Sequence, residues 1–287
     1  MHPLAGIALK EIKTMHIRTL FLIALFSLPC TGKAEWSLSS PDGRLQVTLQ
    51  LDAHGSPLFL LERDGEALIR PSPMGLNFER TRFDSALVAN APPKTGSVSD
   101  SYHLWTGKRR KIEYSANELR LPMKNGDGHL LTIAMRLSND GLAYRYEIPG
   151  PSEKTYRVKD ESSGVHFLPG TRAWLQPKAN AQTGWSNTNP SYEEDYLQDI
   201  PVGTPSPTES GWVYPALFRH GDTWMLVSET GMDGRYAATN LAQSSEDGLY
   251  RLRFPQAAEV TTGGKLMPES TLPFHTPWRL LVAGDLE

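Results

Sequence analysis

The sequence predicts an all-β protein built as one large antiparallel β-sandwich. Three observations predict it. Beyond Glu35 apolar residues recur with a period of two rather than 3.6. The apolar runs are bounded by turn pairs such as Asp42-Gly43, Asp64-Gly65 and Gly221-Asp222, in a chain with 24 Gly and 22 Pro. No stretch carries the amphipathic pattern of a helix of about twelve residues or more.

The first segment lies outside that fold. From Met15 the chain reads "MHIRTLFLIALFSLPCTGKAEW". It has a basic start at Arg18, an apolar run from Leu20 to Leu28, and small residues Gly32 and Ala34 where a signal peptidase cuts. Residues 1–34 therefore read as a secretory signal peptide that starts at Met15, with Met1 to Thr14 upstream of it. The apolar run is shorter than the roughly 20 residues a membrane-spanning helix needs, so no transmembrane segment is predicted. The single cysteine, Cys30, falls inside this segment. The mature chain, 35–287, would hold no disulfide and no thiolate metal site.

Within 35–287 the strands follow in order. "RLQVTLQL" puts Leu45, Val47, Leu49 and Leu51 on one face, and a run at Pro57 to Glu62 follows. The clearest unit is a hairpin: Leu131, Ile133, Met135 and Leu137 alternate, Asn139, Asp140 and Gly141 turn the chain, and Leu142, Tyr144, Tyr146 and Ile148 alternate back. Further strands are expected at Val165 to Leu168, Thr223 to Ser228, Tyr250 to Phe254 and Trp278 to Val282. With 39% hydrophobic residues, including 7 Trp, 10 Tyr and 9 Phe, the chain can bury a substantial core as one domain. Twenty-nine basic and 32 acidic residues leave a net charge of -3, and no basic stripe with interleaved aromatics is read, which argues against nucleic acid as a partner.

One region breaks the pattern. Lys178 to Gly211 is rich in Pro, Ser, Thr, Asn and Gly and holds Trp185, Tyr192 and Tyr196. A long loop of this kind in a compact domain is often a binding segment. Trp185 could stack on a sugar ring while Asn187 and Glu194 hydrogen-bond its hydroxyls, or the aromatics could simply pack the loop onto the sandwich. Nucleotide-binding, serine-hydrolase, zinc-protease and EF-hand motifs are absent. Because two carboxylates can carry out glycoside hydrolysis, the run Glu193, Glu194, Asp195 and the pair Glu229 and Asp233 are the acidic candidates. Glu229 follows the alternating run of "TWMLVSETGMDGRY", on a rigid element rather than in a loop.

The ordered set "WSLSSPDGRLQVTLQLD", "PSPMGLNFE", "DGLAYRYEIPG", "AWLQPKAN", "SYEEDY", "WMLVSETGMDGRY" and "TPWRLLVAGDLE" resembles the N-terminal domain of glycoside hydrolase family 97, from Trp36 to the last residue. The resemblance implies a galactose mutarotase-like sandwich. It implies that a (β/α)8 barrel carrying the catalytic residues follows it in α-glucosidases and α-galactosidases, so no catalytic residue is expected in this chain. It further implies a periplasmic place, an oligosaccharide or α-glycoside ligand, and a calcium ion shared between sandwich and barrel. Glu229 in Ser228-Glu229-Thr230 is the expected calcium ligand, although the flanks depart from the family's His-Glu-Ala setting. The alternative is a free-standing carbohydrate-binding or mutarotase-like sandwich.

Overall fold

The computed structural model describes residues 34–181, 194–243, 247–260 and 263–285. Trp185, Asn187 and Glu193 lie outside the described residues, as does the expected signal peptide apart from Ala34. Among the described residues three antiparallel sheets are present, of five, thirteen and four strands. The only helical element described is one 3-10 turn, Ala257–Glu259. The all-β antiparallel sandwich is therefore as the sequence predicts.

The five-stranded sheet is built on Glu35–Ser39, Leu45–Leu51 and Pro57–Arg63. In Leu45–Leu51 the four apolar residues of the alternating pattern are all buried. The predicted hairpin forms as Leu130–Ser138 and Gly141–Glu161, in register Leu137↔Leu142, Met135↔Tyr144 and Ile133↔Tyr146, with every one of those side chains buried. Aromatic rings tie the layers together. Phe59 of the five-stranded sheet meets Tyr144 of the large sheet at 5.3 Å, and Phe167 of the four-stranded sheet stacks on Phe218 of the large sheet at 3.8 Å. Both small sheets thus cover the inner face of the large one.

Around its centre the large sheet runs Leu130–Ser138, Gly141–Glu161, Trp278–Gly284, Thr223–Thr230, Ala216–His220, Arg172–Leu175 and Leu197–Pro201. Trp278–Gly284 pairs with Gly141–Glu161 on one side and Thr223–Thr230 on the other. In both flanking pairs the alternation sends odd-numbered residues of Thr223–Thr230 and Trp278–Gly284 inward: Met225, Val227, Arg279, Leu281 and Ala283 are buried.

Three features differ from the sequence reading. The strand expected to end near Ile148 runs on to Glu161, through irregular pairing between Ile148 and Ser152, because its far half trades one partner strand for Glu269–His275 and Leu76–Phe78. Inside the long loop, Leu197–Pro201 is a strand paired with Arg172–Leu175. Finally, Lys94–His103 and Lys111–Lys124 form a long hairpin at the edge of the large sheet. "KTGSVSDSYH" is almost entirely exposed, so burial imposed no alternation on it for the sequence to reveal. The tip of that hairpin gathers Tyr102, Leu104, Trp105, Lys108, Arg109 and Arg110, a short basic and aromatic cluster where none was read from the sequence.

Candidate functional site

Glu229 belongs to the strand Thr223–Thr230, directly across from Arg279 of Trp278–Gly284. Both side chains point to the inner face, and a charge there needs a partner because desolvation is costly. Arg279 supplies it. Its Nε donates to Glu161 Oε1 at 2.9 Å and its Nη2 to Glu161 Oε2 at 2.6 Å, a bidentate fork, while its Nη1 donates to Glu229 Oε2. The Thr239 backbone N–H donates to Glu229 Oε1 at 2.8 Å, and the Thr239 hydroxyl to Oε2 at 2.7 Å. The Tyr236 hydroxyl donates to Glu161 Oε2 at 2.8 Å. The side chains of Arg279, Glu161 and Glu229 are 4%, 0% and 6% exposed, so one guanidinium holds two shielded carboxylates. Burial works against the Arg279 charge, yet the attraction of Glu161 prevails and holds its pKa well above the ordinary arginine value.

Beside this network opens a cleft of about 520 Å³, lined by Gln176, Lys178, Tyr214, Ser228, Glu229, Thr239, Asn240 and Glu259 among others. Lys178 Nζ donates to Glu259 Oε2 at 2.9 Å, with side chains 7% and 9% exposed, and reaches Asn240 Oδ1 at 3.4 Å. Two further polar atoms of the lining, Gln176 Nε2 and the Tyr214 hydroxyl, are shielded from solvent without a well-formed hydrogen bond among the described residues. Burial pushes the Tyr214 hydroxyl pKa upward, so it stays a neutral donor and acceptor.

The wall that carries Gln176 and Lys178 is tied to the rest by Gly211 and Trp212. The Lys178 N–H donates to Gly211 O at 2.8 Å, and Trp212, fully buried, bridges Pro177 and Leu241. Gly211 has φ +85°, and a Cβ built on it would lie 2.1 Å from Leu241 O. Only glycine permits that approach.

This arrangement suits recognition of a neutral, hydroxyl-rich ligand by scattered donors and acceptors. The two carboxylates of the cleft, Glu229 and Glu259, are ion-paired with Arg279 and Lys178. Asp233, the other candidate of the pair, is exposed and does not line the cleft; hydrogen bonds from Arg235 hold its pKa down at about 2. Glu194 and Asp195 are exposed at the start of the segment leading to Leu197–Pro201. Of the four residues read as site candidates, Glu229 lines the cleft, Glu194 lies on the surface, and Trp185 and Asn187 fall outside the described residues.

The fit of calcium can be judged from the same geometry. Calcium takes six to eight oxygens at about 2.3–2.6 Å. Both Glu229 oxygens are engaged by Arg279 and Thr239, and a cation there would sit beside a guanidinium. Among the described residues no three His, Cys, Asp or Glu side chains come together as a cation set. A calcium ion at Glu229 would therefore take an oxygen now held by Arg279 or Thr239 and draw its other ligands from elsewhere.

Sequence reasoning missed Glu161, Arg279, Lys178 and Gln176. A signal existed for Arg279: it shares the parity of Leu281 and Ala283, the buried face of its strand.

Comparison with known proteins places these features. Residues 38–287 match the family described as glycosyl-hydrolase 97 N-terminal. A probable retaining alpha-galactosidase of Streptomyces bingchenggensis (strain BCW-1) is 30% identical over 254 residues, which is 88% of this chain and 36% of that protein. The crystal structure of a beta-arabinopyranosidase superposes with TM-score 0.81 at 34% identity, covering 87% of this chain and 40% of the other. A glycoside hydrolase family 97 enzyme from Pseudoalteromonas sp. strain K8, solved with acarbose, gives TM-score 0.71 at 18% identity, covering 87% and 35%. The chain thus spans two fifths or less of the length of each of these relatives.

Proposed function

The chain belongs to the glycosyl-hydrolase 97 N-terminal family, and from that premise we propose that it serves as the non-catalytic sandwich of an exo-acting α-glycosidase. In this reading it forms one wall of a sugar pocket and works with a (β/α)8 barrel that carries the chemistry. The observation that supports it best is the cleft beside Glu229. It offers shielded polar groups, Gln176 Nε2 and the Tyr214 hydroxyl, and its two carboxylates are ion-paired, Glu229 with Arg279 and Glu259 with Lys178. No histidine lines it among the described residues, so the Glu and His pair of a mutarotase-like activity finds no support there. Secretion on residues 1–34 and a periplasmic place belong to the same proposal.

The test is turnover. The purified chain is expected to leave aryl α-glucosides and α-galactosides unhydrolysed, because inverting and retaining mechanisms both need two carboxyl groups at about 6.5–9.5 Å or 5–5.5 Å with one able to donate a proton. Hydrolysis well above a blank that vanished on replacing Glu229 or Glu194 would sink the proposal.

Calcium shared with the barrel is part of the proposal, with Glu229 as the ligand this chain supplies. Glu194 is exposed, whereas Glu229 is fixed on its strand beside the cleft. Joined to a cognate barrel, Glu229→Gln is expected to weaken calcium affinity by tenfold or more, in the range of a lost carboxylate ligand. Glu194→Gln is expected to leave calcium affinity within about twofold. Calorimetric titration of the ion separates the two, and a loss of affinity confined to Glu194→Gln would move the ligand role to that residue.

A further inference from the structure

The hairpin Lys94–His103 and Lys111–Lys124 presents a tip unlike the rest of the surface. Its strands pair through His103↔Lys111, and the Leu104 N–H donates to Arg110 O at 2.7 Å, so the turn is closed and ordered by the ladder beneath it. Trp105 at the tip is fully exposed, at 102% of its reference area, and Tyr102 and Leu104 are exposed beside it. Lys108, Arg109 and Arg110 follow, exposed and without an ion pair among the described residues, while Lys111 is paired with Glu113. The chain as a whole carries net charge -3, so this concentration of cations is local.

An indole with no cover beside three free cations has a recognisable complement. Tryptophan prefers the boundary between headgroups and acyl chains, where the ring is partly desolvated and its N–H stays wet. Lysine and arginine next to it gain from the negative potential of anionic headgroups within a Debye length. A flat surface also suits a projecting turn whose side chains all face solvent. A polynucleotide would have to approach a body of like charge over a longer footprint, and three cations with one tryptophan give it few phosphate contacts and one stacking surface.

We infer that the 102–111 tip is a docking element for anionic phospholipid, with Trp105 and Leu104 entering the interface and Lys108, Arg109 and Arg110 meeting the headgroups. The contact is peripheral and reversible: a few side chains at one turn cannot insert as a helix does. It is also independent of the cleft beside Glu229, which lies on other strands.

The probe is vesicle flotation with the full chain. Vesicles of phosphatidylcholine with an equal part of phosphatidylglycerol are compared with phosphatidylcholine alone. Binding is expected only with phosphatidylglycerol, falling as salt is raised. Replacing Lys108, Arg109 and Arg110 together with Ala should lower partitioning about 100-fold, and Trp105→Ala about tenfold. The melting temperature of both variants should stay unchanged, since these side chains support no packing. Equal binding to both vesicle types, or unchanged binding by the variants, would overturn the inference. So would sedimentation showing a dimer that Trp105→Ala dissolves, or tight binding to a polyanion in solution without binding to vesicles; these results would assign the tip to a second copy or to nucleic acid.

Discussion

Arg279→Met is expected to unfold the domain at temperatures where the parent chain is folded. The substitution fills similar volume but leaves Glu161 and Glu229 facing each other on the inner side of the sheet, 0% and 6% exposed, with hydroxyl and N–H donors but no cation. Removing one partner of a buried ion pair costs about 3–5 kcal/mol, because the other charge is left desolvated and uncompensated. For a domain of this size that is a fall in melting temperature of about 6–20 °C. Thermal and urea denaturation followed by circular dichroism measure it. Adding Glu161→Gln and Glu229→Gln to the variant should recover a large part, since an amide can accept the Tyr236 and Thr239 donors without a charge to bury. A loss below about 1 kcal/mol would mean that the carboxylates take up protons or water at little cost, against the reading of the network as a structural unit.

Gly211→Ala is expected to be the most damaging glycine change near the cleft. Two costs combine. An L side chain at φ +85° pays about 1–2 kcal/mol for the left-handed conformation, and the new methyl meets Leu241 O at 2.1 Å, a backbone atom that cannot rotate away. Together they should amount to about 3 kcal/mol. Gly43→Ala is the control, because φ there is +77° with nothing within 4 Å of the built Cβ. It should lose only the conformational part. Equal melting shifts for the two variants would show that Leu241 moves freely and that the bridge through Trp212 does not hold the Gln176 and Lys178 wall.

The sequence disclosed strands wherever one face is buried and the other wet. Leu45 to Leu51 and the Leu131 to Ile148 hairpin were legible because burial had written a period of two into them. The Lys94–His103 strand was not, since exposure on both faces leaves composition free to vary. The same physics governed the site. Glu229 was legible as a carboxylate fixed on a rigid strand. Its parity with Met225 and Val227 turns it inward, whereas Ser228 shares the face of Trp224 and Leu226. Recognising its partner requires knowing that Trp278–Gly284 is the neighbouring strand, and pairing between segments about fifty residues apart is a property of topology rather than of any local pattern. Lys178 and Glu259 were hidden for the same reason.

The place of Trp278–Gly284 in the middle of the thirteen-stranded sheet also dictates the order in which the molecule can be made. Until that segment has left the ribosome, Gly141–Glu161 and Thr223–Thr230 have no strand to join them, and Glu161 and Glu229 wait without their cation. Early segments such as the 45–63 hairpin can form locally on the nascent chain, while the central layer closes only after Trp278–Gly284 has emerged. Closure of that layer is then expected to be slow, with the edges of Gly141–Glu161 and Thr223–Thr230 open until the strand between them arrives.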